Sequence, residues 1–191
     1  MTTVIVPFRS GGKSRLPSAI RVEAALAMLG DVLEAAVGLG DRVRLVTDDA
    51  AATALAASLD IKVTPDPGGG QAAAVEAALD GVDGPCLVVN ADLPCATAEA
   101  FASLAAKAPA HVAAGDGTTN ALALPDAGWF RPVYGPGSAA RFAAAGLGLV
   151  RLPALEHDVD TVSDLEALPL PAGRRTSCVL HQHKRAPART S

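Results

Sequence analysis

Asp92 ends a short apolar run, and its position favours chemistry. The run Cys86–Pro94 (CLVVNADLP) is typical of a buried strand that a proline stops. In an open α/β sheet, ligands bind where such strands end. Asp92 could instead cap the next helix, but Thr97 is the better placed N-cap, with Glu99 in the first turn. The pattern therefore favours a functional carboxylate at Asp92.

Two further carboxylates, Asp158 and Asp160, are spaced to act together in the segment EHDVDT. In an extended segment, residues i and i+2 point the same way and lie roughly 6 to 7 Å apart. Carboxylates aimed at one point repel each other unless a cation lies between them, and divalent cations such as Mg²⁺ prefer oxygen ligands. We therefore predict that Asp158 and Asp160 share a divalent cation with Asp92.

A polar loop, Arg9–Pro17 (RSGGKSRLP), lies between an apolar, β-branched run and a helical apolar pattern. Phosphates commonly bind at such a junction of strand, loop and helix. The loop is not a P-loop, because that motif needs a glycine five residues before Gly12 and the chain has Pro7 there. An ordinary solvated loop is the alternative to an anion site. The loop carries three cations, Arg9, Lys13 and Arg15.

Two glycine-containing turns each precede a predicted helix. Asp66–Gln71 (DPGGGQ) could hold a base or a phosphate against bare backbone, or could simply be a tight turn. Tyr134–Ser138 (YGPGS), with Arg141 one turn later, offers hydroxyl and backbone donors to a phosphate or carboxylate. The alternative is that Ser138 only caps its own helix.

Short β-rich runs alternate with alanine-rich helical segments along the chain. This alternation predicts parallel pairing in a doubly wound α/β fold. The predicted strands are Thr3–Phe8, Val43–Thr47, Ile61–Thr64, the run ending at Asn90, Val112–Ala114, Ala121–Leu124 and Leu149–Leu152.

The length of 191 residues favours one domain with a sizeable core. No apolar run reaches the roughly 18 residues of a membrane span, and Met1–Pro7 lacks the pattern of a signal peptide. We therefore expect a cytoplasmic enzyme or binding protein that needs no membrane. The three cysteines fit neither a zinc site nor a disulfide framework, which predicts free thiols.

Charge is unevenly distributed between the body of the chain and its end. Residues 171–191 hold five Arg or Lys and no Asp or Glu, so the formal charge of −4 leaves the first 170 residues at −9. An acidic body argues against nucleic acid as the main partner. With little apolar content, the basic segment 171–191 is predicted to be a disordered tail after a domain of residues 1–170.

Five motifs, in order, resemble the guanylyltransferases of coenzyme F-420 biosynthesis, relatives of the MobA-like nucleotidyltransferases. They are Lys13–Leu16 (KSRL), Ala91–Pro94 (ADLP), Gly117–Leu122 (GTTNAL), Tyr134–Ser138 (YGPGS) and Asp158–Thr161 (DVDT). The resemblance covers residues 1 to about 168. It implies a three-layer α/β/α fold of the nucleotide-diphospho-sugar transferase type. It also implies transfer of GMP from GTP to phosphoenolpyruvate or 2-phospho-L-lactate, with Mg²⁺.

The resemblance also implies roles for individual residues. Asp92, Asp158 and Asp160 match the metal ligands. The match to the three-carbon phosphoacid site is Thr119, Gly135 and Ser138. The match to the nucleotide site is Pro7, Gly11, Lys13, Arg15 and Gln71, with Lys13, Arg15 and Asp92 as the catalytic set. Two departures are Arg9, where lysine is expected, and the glycines before Gln71.

Three functional hypotheses follow from this pattern. The first is a guanylyltransferase that uses GTP and a three-carbon phosphoacid, with a homodimer as a candidate assembly. The second is a molybdenum-cofactor or nucleotide-sugar nucleotidyltransferase, which would accept CTP or a sugar phosphate. The third is a nucleotide-binding module without turnover.

Overall fold

The computed structural model describes residues 1–9, 18–40 and 42–185, in which seven strands form one sheet. The strands are β1 (Thr3–Pro7), β2 (Arg42–Val46), β3 (Lys62–Thr64), β4 (Cys86–Val89), β5 (Ala110–Ala113), β6 (Thr119–Leu124) and β7 (Gly148–Leu149). The α-helices of the described residues are α1 (Ser18–Gly38), α2 (Ala50–Ser58), α3 (Gln71–Leu79), α4 (Ala98–Ala105), α5 (Ser138–Ala144), α6 (Pro153–Glu156), α7 (Val162–Glu166) and α8 (Arg174–Arg185).

The sheet has the order β3-β2-β1-β4-β6-β5-β7 and is mostly parallel. Val4 of β1 lies opposite Val43 of β2 and Leu87 of β4, both in parallel register. β6 runs antiparallel to both its neighbours. Only Ala114–Thr118 joins β5 to β6, and a parallel crossover would need a dozen or more residues. The predicted doubly wound α/β fold is confirmed, with β6 as its one reversed strand.

Helices cover both faces of the sheet, as the alternation of side chains along β1 requires. Val4 and Val6 pack on one face, in a core that includes Leu29 of α1. Ile5, between them, packs on the other face with Val75 of α3. The three-layer α/β/α arrangement therefore has a hydrophobic core on each side of the sheet.

The strand order brings the loop after β1 and the loop after β4 to the same edge of the sheet. β1 and β4 are parallel neighbours. β2, the next strand after β1 in the chain, lies on the other side of β1. This is a topological switch point, where ligands of α/β sheets bind. Because β6 is antiparallel, its first residues, Thr119 and Asn120, lie where β4 ends; the N–H of Asn90 donates to the carbonyl of Asn120 at 2.9 Å.

The prediction that the basic tail is disordered is wrong for Arg174–Arg185, which form α8. The carboxylate of Asp31 on α1, only 5% exposed, accepts the backbone N–H groups of Arg175 and Thr176, each at 2.9 Å. Val179 is buried in a cluster with Met28 of α1. The helix forms because a distant carboxylate satisfies its first turn, a contact that local composition does not reveal.

The cysteines agree with the prediction of free thiols. Cys86 and Cys95 are buried, and Cys178 on α8 is exposed. Burial raises the pKa of the Cys86 thiol to about 11. Among the helices of the described residues, none combines the length and apolarity that crossing a membrane requires.

Candidate active site

A cleft of about 310 Å³ opens at the edge of the sheet where β1 and β4 end. Residues from both strand ends, from α1 and α3 and from two loops contribute to its wall. The lining residues are Pro7, Phe8, Arg9, Ala25, Met28, Asp66, Gln71, Ala74, Asn90, Ala91, Asp92 and Asp160. The predicted nucleotide residues Pro7 and Gln71 therefore share one cleft with two of the predicted metal ligands.

Three carboxylates converge at one side of this cleft. Asp92, Asp158 and Asp160 are partly buried, and one oxygen of each lies within 4.8 Å of the others. The three side chains therefore converge as the sequence leads us to expect, and their binding of a metal stays a prediction. Carboxylate oxygens are hard donors that suit Mg²⁺, so the chemistry of the cluster fits the metal that the resemblance implies.

Backbone hydrogen bonds hold the two carboxylate segments against each other. The N–H of Val159 donates to the carbonyl of Asp92 at 3.1 Å. The Asp164 carboxylate accepts the N–H groups of Asp160 at 3.0 Å and Thr161 at 2.7 Å. Val159 itself is fully buried in the cluster between α1, α7 and α8. Packing therefore fixes the backbone between the two aspartates of the segment.

Asn90 and Asn120 connect Gln71 to Asp158 through side-chain contacts, and the sequence pattern assigned a role to neither of them. Gln71 Nε2 donates to Asn90 Oδ1 at 2.7 Å. Asn120, which is 1% exposed, lies with its Nδ2 3.5 Å from Asp158 Oδ1. Asn90 directly follows the apolar strand β4, and Asn120 directly precedes the apolar residues of β6, and a buried amide at such a position needs hydrogen-bond partners. An amide beside a buried strand is the signal that could have identified them.

The three residues matched to the phosphoacid site lie on neighbouring segments. Thr119 and Ser138 are buried, and their hydroxyls are 2.9 Å apart in a hydrogen bond. Gly135 lies in the loop before α5 with φ 106°, in the region that favours glycine. Ser138 does not cap α5, since the N-cap is Gly137. The structure therefore brings the two hydroxyls together as a pair.

The donors around that loop are engaged with protein carbonyls. The Arg141 guanidinium donates to the carbonyl of Pro136 at 2.8 Å and of Val133 at 3.0 Å. The N–H of Ser138 donates to the Gly135 carbonyl at 3.0 Å. Arg141 thus braces the loop, which differs from the anion-facing position expected one turn into the helix.

Arg9 holds the glycine-rich turn rather than extending into solvent as an isolated cation. Its guanidinium makes a bidentate contact with Asp66, with Nη2 donating to Oδ1 at 2.8 Å. Asp66 also accepts the N–H of Gly68 at 2.9 Å. The contact joins the end of β1 to the turn before Gln71, so Arg9 shapes the wall of the cleft.

This pair gives a prediction for pH dependence. The hydrogen bond from Arg9 lowers the pKa of Asp66 below its ordinary value of 3.8. The stabilisation is therefore fully present above pH 3.8 and is lost as pH falls through the lowered pKa of the folded state. We expect Arg9→Gln to move the Asp66 pKa upward in an NMR titration of its carboxyl carbon. An unchanged titration in Arg9→Gln would contradict the assignment.

The remaining predicted cleft residues, Gly11, Lys13 and Arg15, lie outside the described residues. Their roles stay predictions from the sequence.

Comparison with known proteins identifies relatives that match most of this chain. The model of the MobA-like NTP transferase domain matches residues 18–158. A phosphoenolpyruvate guanylyltransferase from Nocardia farcinica is 38% identical over 193 residues, which cover 88% of this chain and 84% of the relative. A phosphoenolpyruvate guanylyltransferase from Streptomyces scabiei is 35% identical, with 92% of this chain and 94% of the relative covered.

Solved structures agree with the fold. A Methanothermobacter nucleotidyl transferase superposes with a TM-score of 0.67 at 16% sequence identity, covering 95% of this chain and 99% of that one. At this identity the likeness concerns the fold alone. It matches the three-layer arrangement described above.

Proposed function

The chain belongs to the MobA-like NTP transferase family and is a nucleotidyltransferase, and we propose that it transfers GMP from GTP to phosphoenolpyruvate with release of pyrophosphate. The observation that carries this proposal is the convergence of Asp92, Asp158 and Asp160 beside a cleft at the sheet's switch point. The names of the guanylyltransferase relatives support the choice of both substrates.

The reaction brings several negative charges together, and the site must compensate for them. Two unit charges 4 Å apart repel each other by about 1 kcal/mol in water and by about 4 kcal/mol at an effective dielectric near 20. When bound, Mg²⁺ neutralises part of this charge and stabilises the displacement at the α-phosphorus. Asp92, Asp158 and Asp160, which are partly buried, would hold it.

The bond changes are those of an in-line displacement. A phosphate oxygen of phosphoenolpyruvate attacks the α-phosphorus of GTP, and the bond from the α-phosphorus to the bridging oxygen breaks. The electron pair leaves with pyrophosphate. The acceptor phosphate is already ionised near neutral pH, so the chain needs no general base. This fits a cleft whose described lining contains carboxylates and amides but no histidine.

We assign the remaining roles to the residues that the resemblance matched. Lys13 and Arg15 stabilise the leaving pyrophosphate, with Gly11 and Pro7 along the triphosphate and Gln71 at the base. The acid is proposed to bind near Thr119, Gly135 and Ser138. Binding there would exchange the hydrogen bond between the two hydroxyls for bonds to the acid.

The product of this reaction would serve coenzyme F-420 biosynthesis. 2-Phospho-L-lactate is the alternative acceptor within the same proposal, because it carries the same phosphate and carboxylate. The names of the curated relatives favour guanylyl transfer over reactions that use CTP or a sugar phosphate.

An acceptor panel tests the proposal. Purified protein is incubated with GTP and Mg²⁺, with phosphoenolpyruvate, 2-phospho-L-lactate or no acid, and the products are identified by mass spectrometry. We expect a GMP adduct of phosphoenolpyruvate together with pyrophosphate, and CTP in place of GTP serves as the control. If no adduct forms with phosphoenolpyruvate and none forms with 2-phospho-L-lactate, the result contradicts guanylyl transfer.

A further inference from the structure

We propose that Asn90 is a positioning residue for nucleotide specificity, because it fixes the amide of Gln71 so that the carbonyl oxygen, Oε1, reads the base. The proposal deepens the function above and rests on Gln71 lying at the base. Asn90 and Gln71 both line the cleft, on β4's carboxyl end and at the start of α3.

Backbone carbonyls determine which way each asparagine amide is oriented. A carbonyl only accepts hydrogen bonds, so the group facing it must be an amide nitrogen. Asn120 Nδ2 donates to the carbonyl of Leu155 at 3.1 Å. Asn90 Nδ2 donates to the carbonyl of Thr119 at 3.2 Å and lies 3.5 Å from Asn120 Oδ1. Both amide orientations are therefore fixed by the main chain.

The orientation of Gln71 follows from that of Asn90. With Asn90 Nδ2 directed to the main chain, Oδ1 is the atom that meets Gln71, and Nε2 donates to it at 2.7 Å. A flipped Gln71 amide would set two oxygens face to face at this distance. One N–H of Nε2 is thus committed to Asn90, and this fixes Oε1 as the acceptor that the Gln71 amide presents on its other side.

An oxygen acceptor at this position distinguishes the purine bases. Guanine carries hydrogen-bond donors at N1 and at its 2-amino group, whereas adenine carries an unprotonated N1 and has its donor at the 6-amino group. Oε1 can accept from the guanine N1–H group and would face the lone pair of the adenine N1. Leaving a polar group unpaired in a site costs about 1 to 3 kcal/mol, which corresponds to roughly 5- to 150-fold in affinity.

The test compares variants of Asn90 that keep or lose the acceptor. Asn90→Leu removes the partner of Gln71 Nε2, so that the amide can rotate. Asn90→Asp keeps an acceptor for Nε2 but sets a carboxylate oxygen against the Thr119 carbonyl, so the comparison uses its ratio of GTP to ATP affinity and not its absolute affinity. Gln71→Leu removes the reader itself. Dissociation constants for GTP, ITP and ATP are measured by calorimetry, and kcat/KM is measured with phosphoenolpyruvate.

We expect Asn90→Leu to reduce the ratio of GTP to ATP affinity about tenfold or more. Asn90→Asp should keep that ratio within about threefold of the wild type. ITP retains the N1–H group and should follow GTP. The double variant Asn90→Leu with Gln71→Leu should lose no more selectivity for GTP over ATP than either single variant. Both substitutions remove the same contact, that of Gln71 Oε1 with the base. Asn90→Ala replaces the leucine variant if circular dichroism shows that the latter does not fold.

A parallel fall of GTP and ATP affinity in the leucine or alanine variant, with an unchanged ratio, would mean that Asn90 only supports the structure and would overturn the proposal. Equal binding of GTP and ATP by the wild type would overturn it as well. If the wild type selects GTP, Asn90→Leu loses that selectivity and no adduct forms with phosphoenolpyruvate or 2-phospho-L-lactate, guanylyl transfer is contradicted while the role of Asn90 is supported.

Discussion

Asp92→Asn should lower kcat/KM for guanylyl transfer by about 10³-fold while the protein stays folded. The substitution keeps the shape of the side chain but removes one of three charges that surround the proposed cation. A bound metal contributes several kcal/mol of charge stabilisation in such reactions, and each 1.36 kcal/mol corresponds to a factor of ten in rate. The measurement is the steady-state rate of pyrophosphate release with saturating GTP.

Asp83→Asn is the matched control for this experiment. Asp83 is exposed and lies just before β4, at the end of the strand opposite to Asp92. We expect Asp83→Asn to react at a rate within about twofold of the wild type, because substitutions of exposed residues outside a site usually have small effects. A similar rate for Asp92→Asn and Asp83→Asn would exclude a catalytic role for Asp92.

Asp31→Ala should lower the free energy of unfolding by about 3 kcal/mol, although Asp31 belongs to none of the motifs of the site. Its buried carboxylate accepts two backbone N–H groups of α8. Hydrogen bonds to charged groups contribute about 1.5 to 3 kcal/mol each, and their loss leaves the first turn of α8 without these acceptors. The measurement is urea denaturation at pH 7.

Glu34→Gln provides the comparison on the same helix pair. Arg175 Nε lies 2.8 Å from Glu34 Oε1, with about a third of each side chain exposed. Pairs this exposed contribute about 0 to 1 kcal/mol, so the variant should remain close to the wild type. Equal destabilisation by Asp31→Ala and Glu34→Gln would show that the capping of α8 by Asp31 is not what holds the helix.

The sequence predicts the sheet and the carboxylate cluster because both depend on local rules. A buried apolar run that ends at Asp92 places this side chain at the edge of the sheet. A two-residue spacing makes the side chains of Asp158 and Asp160 point the same way in an extended segment. Parallel strands end at a common edge, so residues that follow different strands meet there. Asp92 and the pair Asp158 and Asp160, which are far from it in the chain, could therefore be assigned to one place.

Other features could not be predicted because they depend on contacts between distant segments. The helix α8 requires the Asp31 carboxylate, 144 residues before Arg175. The orientation of Asn90 depends on a carbonyl of β6, a strand whose direction is reversed by a short turn. The sequence predicts Arg9 and Arg141 as cations near an anion. In the structure Arg9 donates to Asp66 and Arg141 donates to the carbonyl of Pro136, so each holds a loop.

The most direct test of the central claim is the position of a cation in the cleft. Crystals grown with Mn²⁺ and an α,β-methylene analogue of GTP give an anomalous signal at the bound ion. We predict a peak about 2 Å from carboxylate oxygens of Asp92, Asp158 and Asp160, the distance of an oxygen ligand to such a cation. Nucleotide in the cleft with the Mn²⁺ peak away from these three carboxylates would contradict the account.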